Sequence, residues 1–276
     1  MRKLLLALVG LGMLAGSTLA LASPEDDRKA LIELFEKRFP EVNFNDYIYG
    51  ALAFSADAKA QYDSIMEFPP FLEVLDKGKK MWNTPFKNGK TYASCFPNGG
   101  RDVAGNYPYY DEKLGKVVTF EMKLNMCRVA NGEQPYGYGD MKTMGMLESY
   151  ARTLSDGMRV DIKISGPGAR AAYERGKEFF YTRHGQLNFS CASCHVDSAG
   201  KVLRTEILSP VIGQATHWPV FRAATNLVTL QKRYAGCLKN VRAVPPKLGS
   251  VEFNDLEYFH TYLSNGLVMH SSVFRK

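Results

Sequence analysis

Residues 191–195 read Cys-Ala-Ser-Cys-His, and this pentapeptide restricts the fold more than any other stretch of the chain. Its two thiols are spaced to add across the two vinyl groups of one haem, and the adjoining His195 is then carried beneath the iron as proximal ligand. A Cys-x-x-Cys pair also serves as half of a zinc site or as a redox dithiol. Zinc would want a second ligand pair, and no other Cys-x-x-Cys or His-x-x-x-His occurs in the chain. A redox dithiol would want a βαβ setting, whereas the stretch before the motif reads as helix. The motif therefore predicts one covalently bound haem c on Cys191 and Cys194.

The flanks agree with a small cytochrome c domain. In GARAAYERGKEFFYTRHG, Ala172, Tyr173, Gly176, Phe179 and Phe180 fall on one helical face, with Gly185 as the expected stop. Further on, Asn254 and Asp255 are expected to cap a helix from Leu256 to Asn265, whose Leu256, Phe259, Tyr262 and Leu263 form an apolar stripe ending at Gly266. These aromatics read as core. A common electron-transfer cytochrome c would place a methionine between motif and last helix, yet none occurs from residue 159 to 268. Met269 reads as tail or packing, which leaves His217, Cys237, His260 and His270 as candidates for the far side of the iron. Cys237 is the better candidate, because Lys232, Arg233 and Lys239 surround it and cations favour the thiolate that binds metal. His217 is second. Lys232 and Lys239 also fit a solvated surface.

The chain opens with Arg2 and Lys3, an apolar run, and a small-x-small close at Ala20-Leu21-Ala22, the pattern of a secretory signal peptide cut after Ala22. The apolar run is short of the ~20 residues a membrane span needs. An exported protein without a membrane span is expected. Export removes two positive charges, so the formal +7 falls to roughly +5, an ordinary surface excess, and no basic run interleaved with aromatics supports nucleic-acid binding. Five cysteines are an odd count for an oxidising compartment, so some are spent otherwise than on disulfides.

A second feature answers the first. Residues 92–96 read Tyr-Ala-Ser-Cys-Phe, and the surrounding GKKMWNTPFKNGKTYASCF aligns with GKEFFYTRHGQLNFSCASCH across a one-residue gap. Downstream, LESYARTLSDG from Leu147 aligns with LEYFHTYLSNG from Leu256, and Cys127 stands 20 residues before Leu147 as Cys237 stands 19 before Leu256. Three anchors in one order at similar spacing predict an internal repeat. Cys95 then corresponds to Cys194 and Cys127 to Cys237, while Tyr92 and Phe96 replace Cys191 and His195. The expected fold is mainly α, with two tandem cytochrome c-like domains, residues 23–160 without haem and residues 161–276 with it, after the signal peptide at 1–22. A disulfide between Cys95 and Cys127 would close a loop of about 33 residues, worth roughly 3 to 4 kcal/mol, with Tyr92 and Phe96 helping to fill the space of the porphyrin. Ser165-Gly166-Pro167-Gly168 reads as linker, Glu25 to Phe39 as a helix, and Val117 to Met122 as a short strand.

These features together resemble the SoxA family, the single-haem catalytic subunits of the SoxAX cytochrome complex of thiosulfate oxidation. The resemblance spans the mature sequence, and its specific part is QKRYAGC, with Arg233 four residues ahead of the lone Cys237. It implies that Cys237 is both axial ligand and catalytic centre, carried as a persulfide, and that Arg233 binds the anionic substrate. It further implies an L-cysteine S-thiosulfotransferase that conjugates thiosulfate to a cysteine of the carrier SoxYZ, with electrons passing to the SoxX partner of a heterodimer and then to a soluble cytochrome c. The residues suit that chemistry: a guanidinium fork matches an oxyanion, and a sulfur nucleophile exchanges onto sulfur. Other readings of the same residues are a plain electron-transfer cytochrome with a structural Cys237, a thiosulfate dehydrogenase forming tetrathionate, for which a further haem motif would be expected, and a binding subunit with a vestigial haem.

Overall fold

The computed structural model describes residues 23–223 and 225–275. The signal peptide read at residues 1–22 lies outside the described residues. The chain is mainly helical. Helix α1 (Pro24–Arg38) starts at a capping box in which the Asp26 amide donates to Ser23 Oγ at 3.1 Å and the Ser23 amide donates to Asp26 Oδ2 at 2.9 Å. A 3-10 run (Phe44–Phe54), α2 (Ala56–Glu67) and α3 (Leu72–Asn83) follow. A hairpin of β1 (Tyr109–Asp111) and β2 (Lys116–Val118) leads into α4 (Phe120–Ala130). The strand expected to reach Met122 therefore stops at Val118. Thr119 Oγ1 accepts from the Met122 amide at 3.2 Å and opens α4 instead.

Helices α5 (Met146–Thr153) and α6 (Gly166–Tyr181) come next. The stretch read as linker is the first turn of α6, because Pro167 has the fixed φ that a helix start accommodates. Gly185 is not the stop of α6, which ends at Tyr181. At φ +66° Gly185 lies against Val241 and Ala243, where a Cβ would collide with the Val241 carbonyl. The hairpins β3 (Val202–Leu203) with β4 (Glu206–Ile207), and β5 (Val220–Phe221) with β6 (Leu227–Val228), precede α7 (Leu230–Asn240) and α8 (Val251–Tyr262). The final strand β7 (Val273–Phe274) pairs parallel with β5. Helix α8 begins five residues before the expected Leu256, since Ser250 supplies the cap. Asn254 and Asp255 are buried inside the helix, where Asn254 Nδ2 donates back to the Gly249 carbonyl.

Two crossings position the rest. Helix α3 packs on α5 at Gly78, where a Cβ would strike the Met146 carbonyl and lie 2.8 Å from Tyr150 Cβ. Helix α6 packs on α8 at Gly176, where a Cβ would strike the Asp255 carbonyl and lie 2.9 Å from Phe259 Cβ. Gly78 and Gly176 are equivalent in the repeat register, as are Met146 and Asp255, and Tyr150 and Phe259. One continuous apolar core runs through both crossings.

The chain ends are exchanged between the two halves. Helix α1, grouped by the sequence with residues 23–160, lies on α6 and α8: Asp27 accepts from Lys177 Nζ at 2.6 Å and from Tyr173 OH at 2.9 Å, and Leu31 and Phe35 are buried beneath it. In return, Ser272 Oγ donates to the Ser149 carbonyl and Ser271 to Asp156, both in the first half. Residues 159–163 are equally pinned, with the Val160 amide donating to Leu267 O and the Ile162 amide to Asn265 Oδ1. Among the described residues no helix is long and apolar enough to cross a membrane. Gly176→Ala is expected to lower stability by about 3 kcal/mol, because a backbone carbonyl cannot move aside as a side chain can; urea unfolding of the haem-loaded protein checks this.

Candidate functional site

The haem-attachment turn is set by Ser190, whose hydroxyl accepts from the Ser193 amide at 3.0 Å and stands 2.9 Å from Ser193 Oγ. This folds residues 191–197 into helical turns that present Cys191, Cys194 and His195 together. Both thiols are free. Burial, with Cys237 and Cys194 nearby, raises Cys191 to about 12; burial and then Cys237 also raise Cys194. His195 Nδ1 is 2.9 Å from the Ser209 carbonyl, and a ring that donates there keeps Nε2 free for a metal. The Gln214 amide stands 2.7 Å from the same Nδ1 and 2.6 Å from Ser209 Oγ. Gln214 Nε2 is the atom at both contacts, and it donates to Ser209 Oγ. Burial, opposed by the Ser209 bond and aided by the charge of Arg233, lowers His195.

Helix α7 brings Arg233 and Cys237 to the same place, since four residues make one turn and put both on one face. Cys237 is close enough to act electrostatically on Cys191 and Cys194, and Arg233 on His195. Cys191, Cys194, His195, Arg233 and Cys237 thus converge. Arg222 joins them from the β5–β6 turn, within electrostatic reach of Arg233 and Cys237. It is remote from any motif, and only the hairpin delivers it. Lys232 and Lys239 are exposed.

The other ligand candidates lie elsewhere. His217 is buried, with its ring 5.6 Å from Trp218 and its charge opposed by burial and then by Arg275 and His260. His270 is exposed, its Nδ1 4.0 Å from Asp156. Met269 is core, its amide bonded to the Met158 carbonyl at 2.7 Å. His260 lies behind the site, its Nδ1 2.7 Å from Tyr234 OH; burial and then the His195 ring lower it to about 3, so it is neutral.

The corresponding region of the first half is closed. Cys95 and Cys127 form a disulfide with Cα atoms 5.7 Å apart. Tyr92 and Phe96 are buried against Trp82, each ring 5.6 Å from it, and Arg128 Nη1 donates to Tyr92 OH at 2.9 Å. The residues at 191–195 fit a haem c, having two uncommitted thiols and an imidazole whose Nε2 is spared; those at 92–96 do not, because their thiol is spent and an aromatic ring stands at the ligand position.

Fold and site define a c-type cytochrome, and the comparisons carry this further. The sequence model described as SoxA/TsdA, cytochrome c domain matches residues 77–160. L-cysteine S-thiosulfotransferase subunit SoxA of Chlorobaculum tepidum is 47% identical over 91% of this chain and 87% of that protein. The subunit of the same name from Allochromatium vinosum is 41% identical over 96% of each. The crystal structure of SoxXA from P. pantotrophus superposes with a TM-score of 0.70 at 34% identity, covering 78% of this chain and 84% of that one. The chain belongs to the SoxA family.

Two outcomes follow from the site. A Cys95→Ser/Cys127→Ser double variant is expected to lose roughly 3 to 4 kcal/mol, read by denaturant unfolding against the parent. Tyr234→Phe leaves His260 Nδ1 buried without its partner and is expected to cost about 1 to 3 kcal/mol, whereas Tyr234→Phe combined with His260→Leu should recover part of that loss in the same assay.

Proposed function

We propose that the chain is the catalytic subunit that oxidatively joins thiosulfate to a cysteine thiol of the carrier SoxYZ, and that it works in the periplasm as a heterodimer with SoxX. The observation that carries this reading is Arg233 and Cys237 one turn apart on α7, facing the Cys191–His195 segment. In this reading the chain is two cytochrome c-like units of common ancestry, the first emptied of haem and closed by its disulfide, the second carrying one haem c on Cys191 and Cys194.

His195 Nε2 and Cys237 Sγ are the protein atoms that would hold the iron, and haem c, when bound, supplies a centre that takes up electrons singly. Arg233 offers a planar fork of donors to the sulfonate end of thiosulfate, and Arg222 adds positive potential from the opposite chain segment. The anion is thereby held with its outer sulfur toward the Cys237 persulfide; a bond between these two sulfurs forms as two electrons leave, and the carrier thiolate then attacks the outer thiosulfate sulfur, breaking that bond and returning the persulfide. Joining the two sulfurs releases the thiol proton and two electrons, which leave through SoxX to a soluble cytochrome c. The 41–47% identical relatives named as this transferase subunit favour this over a plain electron carrier.

Cys237→Ala is expected to keep covalent haem, seen as a haem-stained band after denaturation, and to lose turnover to background with thiosulfate and SoxYZ. Turnover at the parent rate would overturn the assignment. Arg233→Gln is expected to lower kcat/KM for thiosulfate roughly ten- to hundredfold, the loss of a bond to a charged group, with Arg233→Lys recovering only part because a point charge does not reproduce the fork.

A further inference from the structure

Behind the site, four helices enclose a polar cluster that the sulfur chemistry does not use. Glu121 on α4, Glu148 and Arg152 on α5, and Glu257 on α8 are buried, at 4%, 3%, 6% and 4% exposure. Arg152 Nε pairs with Glu148 Oε1 at 2.7 Å, and its Nη2 lies 3.9 Å from Glu257 Oε1. Gln231 Nε2 on α7 donates to Glu257 Oε2 at 2.9 Å and to Asn254 Oδ1 at 3.0 Å, while Gln231 Oε1 accepts from the Gly249 amide at 2.7 Å. Three carboxylate oxygens remain: Glu121 Oε1, Glu121 Oε2 and Glu148 Oε2 have no donor. All three are completely buried, where an unsatisfied carboxylate is expensive.

The repeat register supplies the comparison. Glu121 corresponds to Gln231 and Glu148 to Glu257. In the second half the bond between these positions is made by an amide, which always carries hydrogen. In the first half both partners are carboxyl groups, so the same bond needs a proton. We propose that Glu121 and Glu148 share one proton in the folded protein, and that this neutralised pair, through Arg152 and Glu257, fixes Gln231 and with it the helix that presents Arg233 and Cys237. The groups facing the pair are Arg152 from α5, Glu257 from α8 and Tyr138 from the segment before α5. Burial first, then the charges of Glu148 and Glu257, raise Glu121 well above the usual carboxylate range. Burial raises Glu257 to about 7 against the pull of Arg152. Groups raised in this way bind more protons folded than unfolded, so their contribution is present at low pH and is lost as pH rises through the folded values.

The test uses the haem-loaded protein and three variants. Infrared difference spectra at neutral pH are expected to show the carbonyl stretch of a protonated carboxylic acid, shifted in D2O and missing from Glu121→Gln. Glu121→Gln, a neutral isostere, should keep the parent ferric haem spectrum and flatten the decline of Tm as pH rises above the ordinary carboxylate value of 4.5. Gln231→Glu should acquire a steeper decline, with the ferric haem spectrum altering over the same range as α7 loosens, and Gln231→Glu/Glu257→Gln should remove it. Absence of the carboxylic acid band from the parent protein, or a Glu121→Gln profile parallel to the parent's, would overturn the proposal. None of these readouts involves thiosulfate, so they stand apart from the outcome for Cys237.

Discussion

Direct backbone contact at two glycines is the constraint on which the rest of the molecule depends. At Gly78 and at Gly176 a carbonyl of the crossing helix occupies the volume a Cβ would take. Only glycine permits that approach, and the approach sets the depth at which α5 and α8 lie. Helix α6 then feeds the attachment turn at Cys191–His195, while Gln231 ties α7 to α8. The two segments that carry the site are therefore hung from one rigid crossing, although the 32 residues 198–229 of hairpin and loop separate them in the chain.

Equivalent frames hold different contents. Where the second half has Cys191 and His195, the first has Tyr92 and Phe96 packed on Trp82. Where the second half has the Tyr234–His260 pair, the first has Leu124 and Ala151, both fully buried. A polar pair inside a core is stable only when its members satisfy each other. Its replacement by aliphatic residues accompanies the loss of the ligand position, and this is what is expected if the pair serves the cofactor pocket rather than the frame.

Much of the site was legible because it is local. A five-residue motif and an i, i+4 pair on one helix need no tertiary information, and the repeat register located Cys237 by equivalence with Cys127. The errors lie at element boundaries: Gly166–Gly168 was read by composition as linker, whereas proline also starts helices, and Asn254 was read as a cap although Ser250 stands four residues ahead. What could not be read is what folding brings together across the chain. Arg222 reaches Cys237 only through a hairpin. Helix α1 has the amphipathic pattern of any packing helix, and nothing in that pattern says that Asp27 will meet Lys177 and Tyr173.

That exchange of ends, with α1 on the second half and the β7 tail on the first, makes the two halves mutually dependent, and the buried carboxylates make them so in register. A buried ionic cluster is a weak source of stability, since well-packed apolar residues of similar volume often do as well or better. Its effect is specific: Arg152, with Thr261 at its equivalent position, is the one cation in the cluster, and it addresses Glu148 in its own half and Glu257 in the other. Sliding α5 against α8 by one turn would strand every one of these charges in the core. The first half thus holds the second in a single alignment, and the segment that gains most from this is α7, whose Gln231 is the only member of the cluster on the same helix as Arg233 and Cys237.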